Sequence, residues 1–161
     1  MAKNPTLEQV LGTALYATAQ TSDILLRHWR KAQALRYDTK PDLSPVTAVD
    51  RAVERRIRQI IKGRYPQHAI LGEEGGNDDS AESAWLWVID PIDGTKSYIR
   101  GLPYFGTQVA VFYEGEVVVG VSHAPVLRET AIARRGAGAF VNRNRLKVSN
   151  VRSLKRSLVA H

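Results

Sequence analysis

The sequence has 161 residues, 43% of them hydrophobic, and a net charge of +7, which suits one well-buried domain and leaves little room for a second. It contains no cysteine, so disulfides and thiolate-ligated metals are excluded, and any metal must be held by oxygen or histidine. No apolar segment approaches the roughly 18 residues of a membrane span, and the N-terminus lacks the apolar core of a signal peptide, so a soluble, cytoplasmic protein with no membrane partner is expected.

From Thr6 to about Leu35 apolar residues recur at Leu7, Val10, Leu11, Ala14, Ala17, Ile24 and Leu25, the spacing of one long amphipathic helix. Asn4 before Pro5 and Thr6 before Gln9 offer alternative N-caps. The loop KPDLSPV leads to a second helix, capped by Thr47 with Asp50 three residues on and a buried stripe of Val49, Val53, Ile57, Ile60 and Ile61. Gly63 and Pro66 close it.

The period then changes. AILG (69–72) and WLWVID (85–90) read as short buried strands separated by a Gly/Asn/Asp/Ser-rich loop from Gly75 to Ser83. Thr107–Tyr113 and Glu116–Ser122 form a hairpin turning at Glu114-Gly115, with further strands near Glu129–Ala133 and Ala139–Val141. Two helices followed by a strand meander indicate an α+β layered domain. RSLVAH at the end reads as the opening of another strand.

Charge is uneven along the chain. Residues 1–129 hold 15 Lys+Arg against 16 Asp+Glu, whereas from 130 onward there are eight basic residues and no acid. With Phe140 as its one aromatic, that stretch reads as a solvated face, and nucleic acid is not expected as a partner.

The stretch WVIDPIDGTKSYIRG (87–101) carries the chemistry. Pro91 denies the ladder an N–H, so the strand should stop at Asp90, and a turn at Pro91-Ile92 can bring the Asp90 and Asp93 carboxylates together with the Ile92 carbonyl. Gly94 opens space at the backbone, and Thr95-Lys96-Ser97 can begin a short helix whose free N–H groups suit a phosphate. Carboxylates beside such a helix start fit a metal-bridged phosphate, since Mg²⁺ prefers one or two carboxylates together with phosphate oxygens. A second acidic pair, Glu73-Glu74, follows AILG; a Glu near Asp90 would complete a site and could orient or deprotonate metal-bound water. Taken singly, Asp90 and Asp93 read equally as turn formers, Glu73-Glu74 as a solvated turn, Asp50 as a helix N3 residue and Thr95 as an N-cap. The four histidines show no ligand spacing, and Lys40 reads as surface.

Together, GEE (72–74), WVIDPIDGT (87–95), SPVTAVD (44–50) and GAGAFVN (136–142) resemble the inositol monophosphatase family of Mg²⁺-dependent, lithium-sensitive phosphomonoesterases. The resemblance implies a layered sugar-phosphatase-like fold, with two long N-terminal helices on a mostly antiparallel sheet. It implies that Glu73, Asp90 and the Ile92 carbonyl bind one Mg²⁺ and that Asp90 and Asp93 help bind another, two or three ions in all. Glu73 and Thr95 would handle the water, Gly94 and Thr95 with Asp93 would meet the substrate, Asp50 would stand just behind, and Glu74 would either support the ligands from behind or be structural. Lys96 and GLPYFGT (101–107) look most like the histidinol-phosphate phosphatase branch, making histidinol phosphate the expected substrate and a homodimer the expected state. Inositol phosphates and adenosine 3′,5′-bisphosphate are the alternatives, as is an inactive module that dimerises or binds anions. Family members are typically about a hundred residues longer, so residues 1–161 are expected to be an N-terminal metal-binding domain, with the C-terminal α/β layer and its aspartate outside this chain.

Overall fold

A computed structural model describes residues 4–31, 37–39, 45–78 and 83–157. The expectations for Lys40, for most of the KPDLSPV loop, for part of the 75–83 loop and for the final LVAH lie outside these residues.

The expected first helix is two. Thr6 caps α1 (Leu7–Ala19) through a capping box with Gln9, after which α2 (Ser22–Trp29) begins. The break has a local cause: the buried Thr18 hydroxyl donates back to the Ala14 and Leu15 carbonyls, and the Thr21 hydroxyl and N–H both turn to the Thr18 carbonyl. Threonine hydroxyls thus compete with the helical ladder where the apolar periodicity alone suggests continuity.

A two-stranded antiparallel ribbon, β1 (Tyr37–Thr39) with β2 (Pro45–Thr47), leads directly into α3 (Ala48–Arg64). Thr47 caps α3 as expected, its hydroxyl accepting from the N–H groups of Val49 and Asp50.

The remaining strands form one eight-stranded sheet. In chain order these are β3 (Ala69–Gly72), β4 (Gly76–Asn77), β5 (Trp85–Asp93), β6 (Gly106–Tyr113), β7 (Glu116–Ala124), β8 (Glu129–Arg134), β9 (Gly138–Val141) and β10 (Asn144–Arg145), with the short helix α4 (Thr95–Ile99) between β5 and β6. Across the sheet the order is β10-β9-β8-β7-β6-β5-β3-β4, and among the described residues the one parallel pair is β3 with β5. The β6–β7 hairpin turns at Glu114 and Gly115, both at positive φ (50° and 82°), as a tight right-twisted hairpin requires.

The core lies between the helices and one sheet face. Val10, Ala14 and Ala17 of α1, Leu25 of α2 and Val49, Val53, Ile57 and Ile61 of α3 meet Trp85, Trp87 and Ile89 of β5 and Val109 and Val111 of β6, all buried. The period-2 alternation of β5 and the four-and-three spacing of the helices select these faces. The fold is therefore the expected α+β arrangement with a mostly antiparallel sheet. Among the described residues no helix is long and apolar enough to cross a membrane.

Candidate metal centre

The site forms where β3 ends alongside its parallel neighbour β5. Gly72 pairs with Ile89, and the Glu73 N–H extends that ladder to the Ile89 carbonyl at 3.1 Å, which sets Glu73 beside Asp90. Two chain segments far apart in sequence thus deliver adjacent carboxylates.

β5 does not stop at Asp90, contrary to expectation. It runs on to Asp93, and its register against β6 shifts on the way: Asp90 faces Gln108 while Asp93 faces Gly106. Three steps on β5 match two on β6, so one residue is extra, the signature of a β-bulge. Pro91 is accommodated at this bulge, with its carbonyl taken by the buried Thr107 hydroxyl at 2.9 Å. The bulge also shifts the strand's phase. Up to Ile89 odd positions are the buried ones, but Pro91 and Ile92 are both buried while Asp90 is half-buried and Asp93 exposed, so the two aspartates three residues apart share the more open side.

Burial pushes the Asp90 carboxyl up to about 7, reinforced by the charge and hydrogen bond of Glu73 and by the charge of Asp93, against a smaller opposing hydrogen bond from the Ile92 backbone. Its Oδ1 is buried without a hydrogen-bond partner. A carboxylate crowded by two others and carrying an orphaned oxygen is a group that a cation would satisfy. The donors are all hard oxygens, which suits Mg²⁺. Among the described residues no three carboxylate or imidazole side chains close into a cage, and two carboxylates with a carbonyl is a set Mg²⁺ accepts.

Gly94 sits at φ 88°, and a Cβ there would come 2.6 Å from the Tyr104 carbonyl oxygen. Its smallness serves a left-handed turn and a backbone contact, where the sequence suggested space for a ligand. Gly94 is the N-cap of α4, and its carbonyl accepts from Ser97 and Tyr98. The Thr95 hydroxyl donates to the Ile92 carbonyl at 2.9 Å; that oxygen keeps a second lone pair.

Asp50 is buried at the head of α3, where Oδ2 accepts from the Thr47 N–H (2.8 Å) and hydroxyl (2.5 Å). It is thus the N3 partner of a capping box. Burial, with the Asp50 charge as the second cause, raises the pKa of the Tyr98 hydroxyl, which donates to the Leu25 carbonyl; Asp50 therefore also faces α4. Among the described histidines, His68 lies in an aromatic stack with Tyr65 and Trp85, His123 bridges Ser22 and Thr130, and His28 contacts its own helix.

Two residues of this region have no part in the sequence reading. Gln108 Nε2 donates to Asp93 Oδ2 at 3.0 Å. Glu54, buried on α3, accepts from the backbone N–H groups of Glu74 (2.7 Å) and Gly75 (2.9 Å). The available signal for Glu54 is a charge beside Val53 on the buried stripe, with Arg58 four residues on.

A sequence model of the inositol monophosphatase family matches residues 6–161. The chain is 39% identical over 155 residues to a Pseudomonas aeruginosa protein named Nus factor SuhB, covering 95% of this chain and 57% of that protein. It is 43% identical over 143 residues to the Mycobacterium tuberculosis histidinol-phosphatase, covering 86% of this chain and 55% of that one. Among solved structures, an IMPase/NADP phosphatase complexed with Mg²⁺ and phosphate superposes with a TM-score of 0.76 at 27% identity, covering 88% of this chain and 53% of that one. The chain thus spans little more than half the length of these relatives. The expectation that nucleic acid is no partner gains no support from relatives that carry the name Nus factor.

Proposed function

Since the chain belongs to the inositol monophosphatase family, we propose that the protein hydrolyses a small phosphate monoester with Mg²⁺ as cofactor, and that residues 1–161 are its metal-binding domain. The observation that carries this reading is the half-buried Asp90, with an orphaned oxygen, crowded by Glu73 and Asp93 at the strand ends.

Glu73, Asp90 and the Ile92 carbonyl would hold one Mg²⁺, and Asp90 with Asp93 a second. Cations bound there lower the pKa of water and offset phosphate charge. The Glu73 carboxylate takes the proton of the attacking water, and Thr95 Oγ1, whose own proton points to the Ile92 carbonyl, accepts from that water and orients it. N–H groups of Gly94 and Thr95 meet the phosphate at the head of α4. Asp50 acts from behind, by fixing the α3 terminus that faces α4. Histidinol phosphate is the favoured substrate, supported by the Mycobacterium tuberculosis relative and by Lys96 and the 101–107 segment; inositol phosphates and adenosine 3′,5′-bisphosphate are the competitors.

The test is Mg²⁺-dependent phosphate release by the full-length protein from these three substrates side by side. Asp93→Asn should lower kcat/KM on the order of a thousandfold; wild-type turnover in that variant would sink the mechanism. A second reading, a non-hydrolytic binding module, is favoured by the Pseudomonas aeruginosa relative's name and by the exposed Lys147, Arg152, Lys155 and Arg156. It predicts no release from any of the three.

A further inference from the structure

A carboxylate buried in α3 stands outside the metal-ligand set yet reaches the loop that carries part of it. Glu54 is only 2% exposed. Its Oε1 takes the Arg58 Nε–H at 2.7 Å and the Gly75 N–H at 2.9 Å, while its Oε2 takes the Glu74 N–H at 2.7 Å. Arg58 in turn donates to the Gly76 carbonyl. One helical ion pair therefore grips three consecutive residues, two in the turn between β3 and β4 and the first of β4.

The approach is close enough to dictate sequence. A Cβ at Gly72 would overlap the Glu54 carboxylate, and one at Gly75 would come 2.7 Å from Glu54 Oε1. Glycine brackets the acidic pair because Glu54 occupies the space on either side. Burying a carboxylate is expensive unless it is paired and hydrogen-bonded, and charge-assisted bonds to backbone N–H groups are short and directional. Such a group is a poor choice for filling a core and a good one for fixing a backbone.

We propose that Glu54 is a positioning residue for the metal centre: anchored by Arg58, it clamps the Glu74 and Gly75 amides and so holds Glu73 against Asp90. This rests on the phosphatase reading insofar as it assigns Glu73 to a cation. Glu54→Gln keeps the volume but replaces one acceptor oxygen by an NH₂ that cannot accept, so either a backbone N–H or the Arg58 Nε–H loses its partner.

The test is Mg²⁺ binding to the full-length protein by calorimetry, with amide hydrogen exchange at Glu74 and Gly75. Glu54→Gln should weaken Mg²⁺ roughly 10- to 100-fold, the usual loss when a ligand's supporting partner is removed, and should speed exchange of at least one of the two amides. Ile57→Val, which loosens the same helix without touching the clamp, should leave Mg²⁺ affinity at wild type. If Glu54→Gln does not fold, Arg58→Lys, which loses the Nε–H contact but keeps the charge, should show the same pair of changes in smaller degree. Wild-type affinity in the foldable clamp variant, while Asp93→Asn loses one of the bound Mg²⁺ ions, overturns the clamp and leaves the phosphatase reading standing. Failure of the wild-type protein to bind Mg²⁺ overturns that reading, and the clamp's role with it.

Discussion

Gln108 stands opposite Asp90 in the β5–β6 ladder, yet its side-chain amide donates to the Asp93 carboxylate at 3.0 Å. One residue of β6 thereby spans the bulge, its backbone registered on one aspartate and its side chain on the other. Gln108→Leu keeps the approximate volume and removes the donor, freeing Asp93 to rotate. Cation affinity should fall about tenfold, as for other partners that orient a ligand, with little change in folding stability because the Asp93 side is exposed. Calorimetric Mg²⁺ titration alongside thermal denaturation checks both halves, and an affinity equal to wild type would show that the bulge alone orients Asp93.

The pH dependence follows from Asp90, whose carboxyl is held up at about 7, first by burial and then by the charge of Glu73, against an ordinary value of 3.8. Between these values the native state keeps a proton that the unfolded chain has released. Stability without cations should therefore fall as pH rises from about 4 to about 7, and the full penalty of the ionised group stands above that. Asp90→Asn removes the penalty, so the cation-free variant should gain on wild type as pH rises through this window in urea titrations. Mg²⁺ binding near pH 6.5 should also release a proton from Asp90, and near pH 8.5 should not; calorimetry in buffers of different ionisation enthalpy reads that difference.

Gly94 holds φ 88° with the Tyr104 carbonyl where a Cβ would go. Gly94→Ala meets both a left-handed backbone and an overlap with main chain that no rotamer can relieve. The expected cost is about 2–4 kcal/mol, from the αL penalty and from local overpacking, visible as a lowered Tm. An unshifted Tm would show that the 94–95 and 104–105 segments can part freely.

How much of this was legible depended on how local the determinant is. The capping boxes at Thr6 and Thr47 and the hairpin turn at Glu114-Gly115 are contained in a few consecutive residues, and they stand where the sequence puts them. The pairing of Glu73 with Asp90 followed from two strand ends carrying acids. The helix break at Gln20-Thr21 was hidden because apolar spacing continues across it while the deciding groups are hydroxyls. Pro91 suggested a strand end, but a bulge is set by pairing with β6, and no property of residues 85–93 alone fixes that register. Glu54 escaped for the same reason: its partners Glu74 and Gly75 lie twenty residues on, so a charge on a buried stripe carried no visible purpose.

The last prediction concerns the buried imidazole behind β5. Trp87 Nε1 donates to His68 Nδ1 at 3.0 Å, and the ring is stacked between Tyr65 and Trp85 at centroid distances of 4.5 and 5.3 Å. A protonated Nδ1 could not accept that bond. Burial, with the Lys62 charge as a second cause, lowers the His68 pKa from 6.5 to about 4, so the folded protein keeps the ring neutral where the unfolded chain would charge it. Because the folded value is depressed, this contribution is complete above pH 6.5 and drains away as pH falls toward 4. His68→Phe preserves a ring in the stack but leaves the Trp87 N–H buried without an acceptor, which should cost about 1–3 kcal/mol at neutral pH. Phenylalanine does not titrate, so the gap between wild type and variant in urea denaturation should narrow steadily from pH 6.5 to 4. A gap that stays constant across that range would mean that His68 takes up its proton in the folded protein as readily as in the unfolded chain.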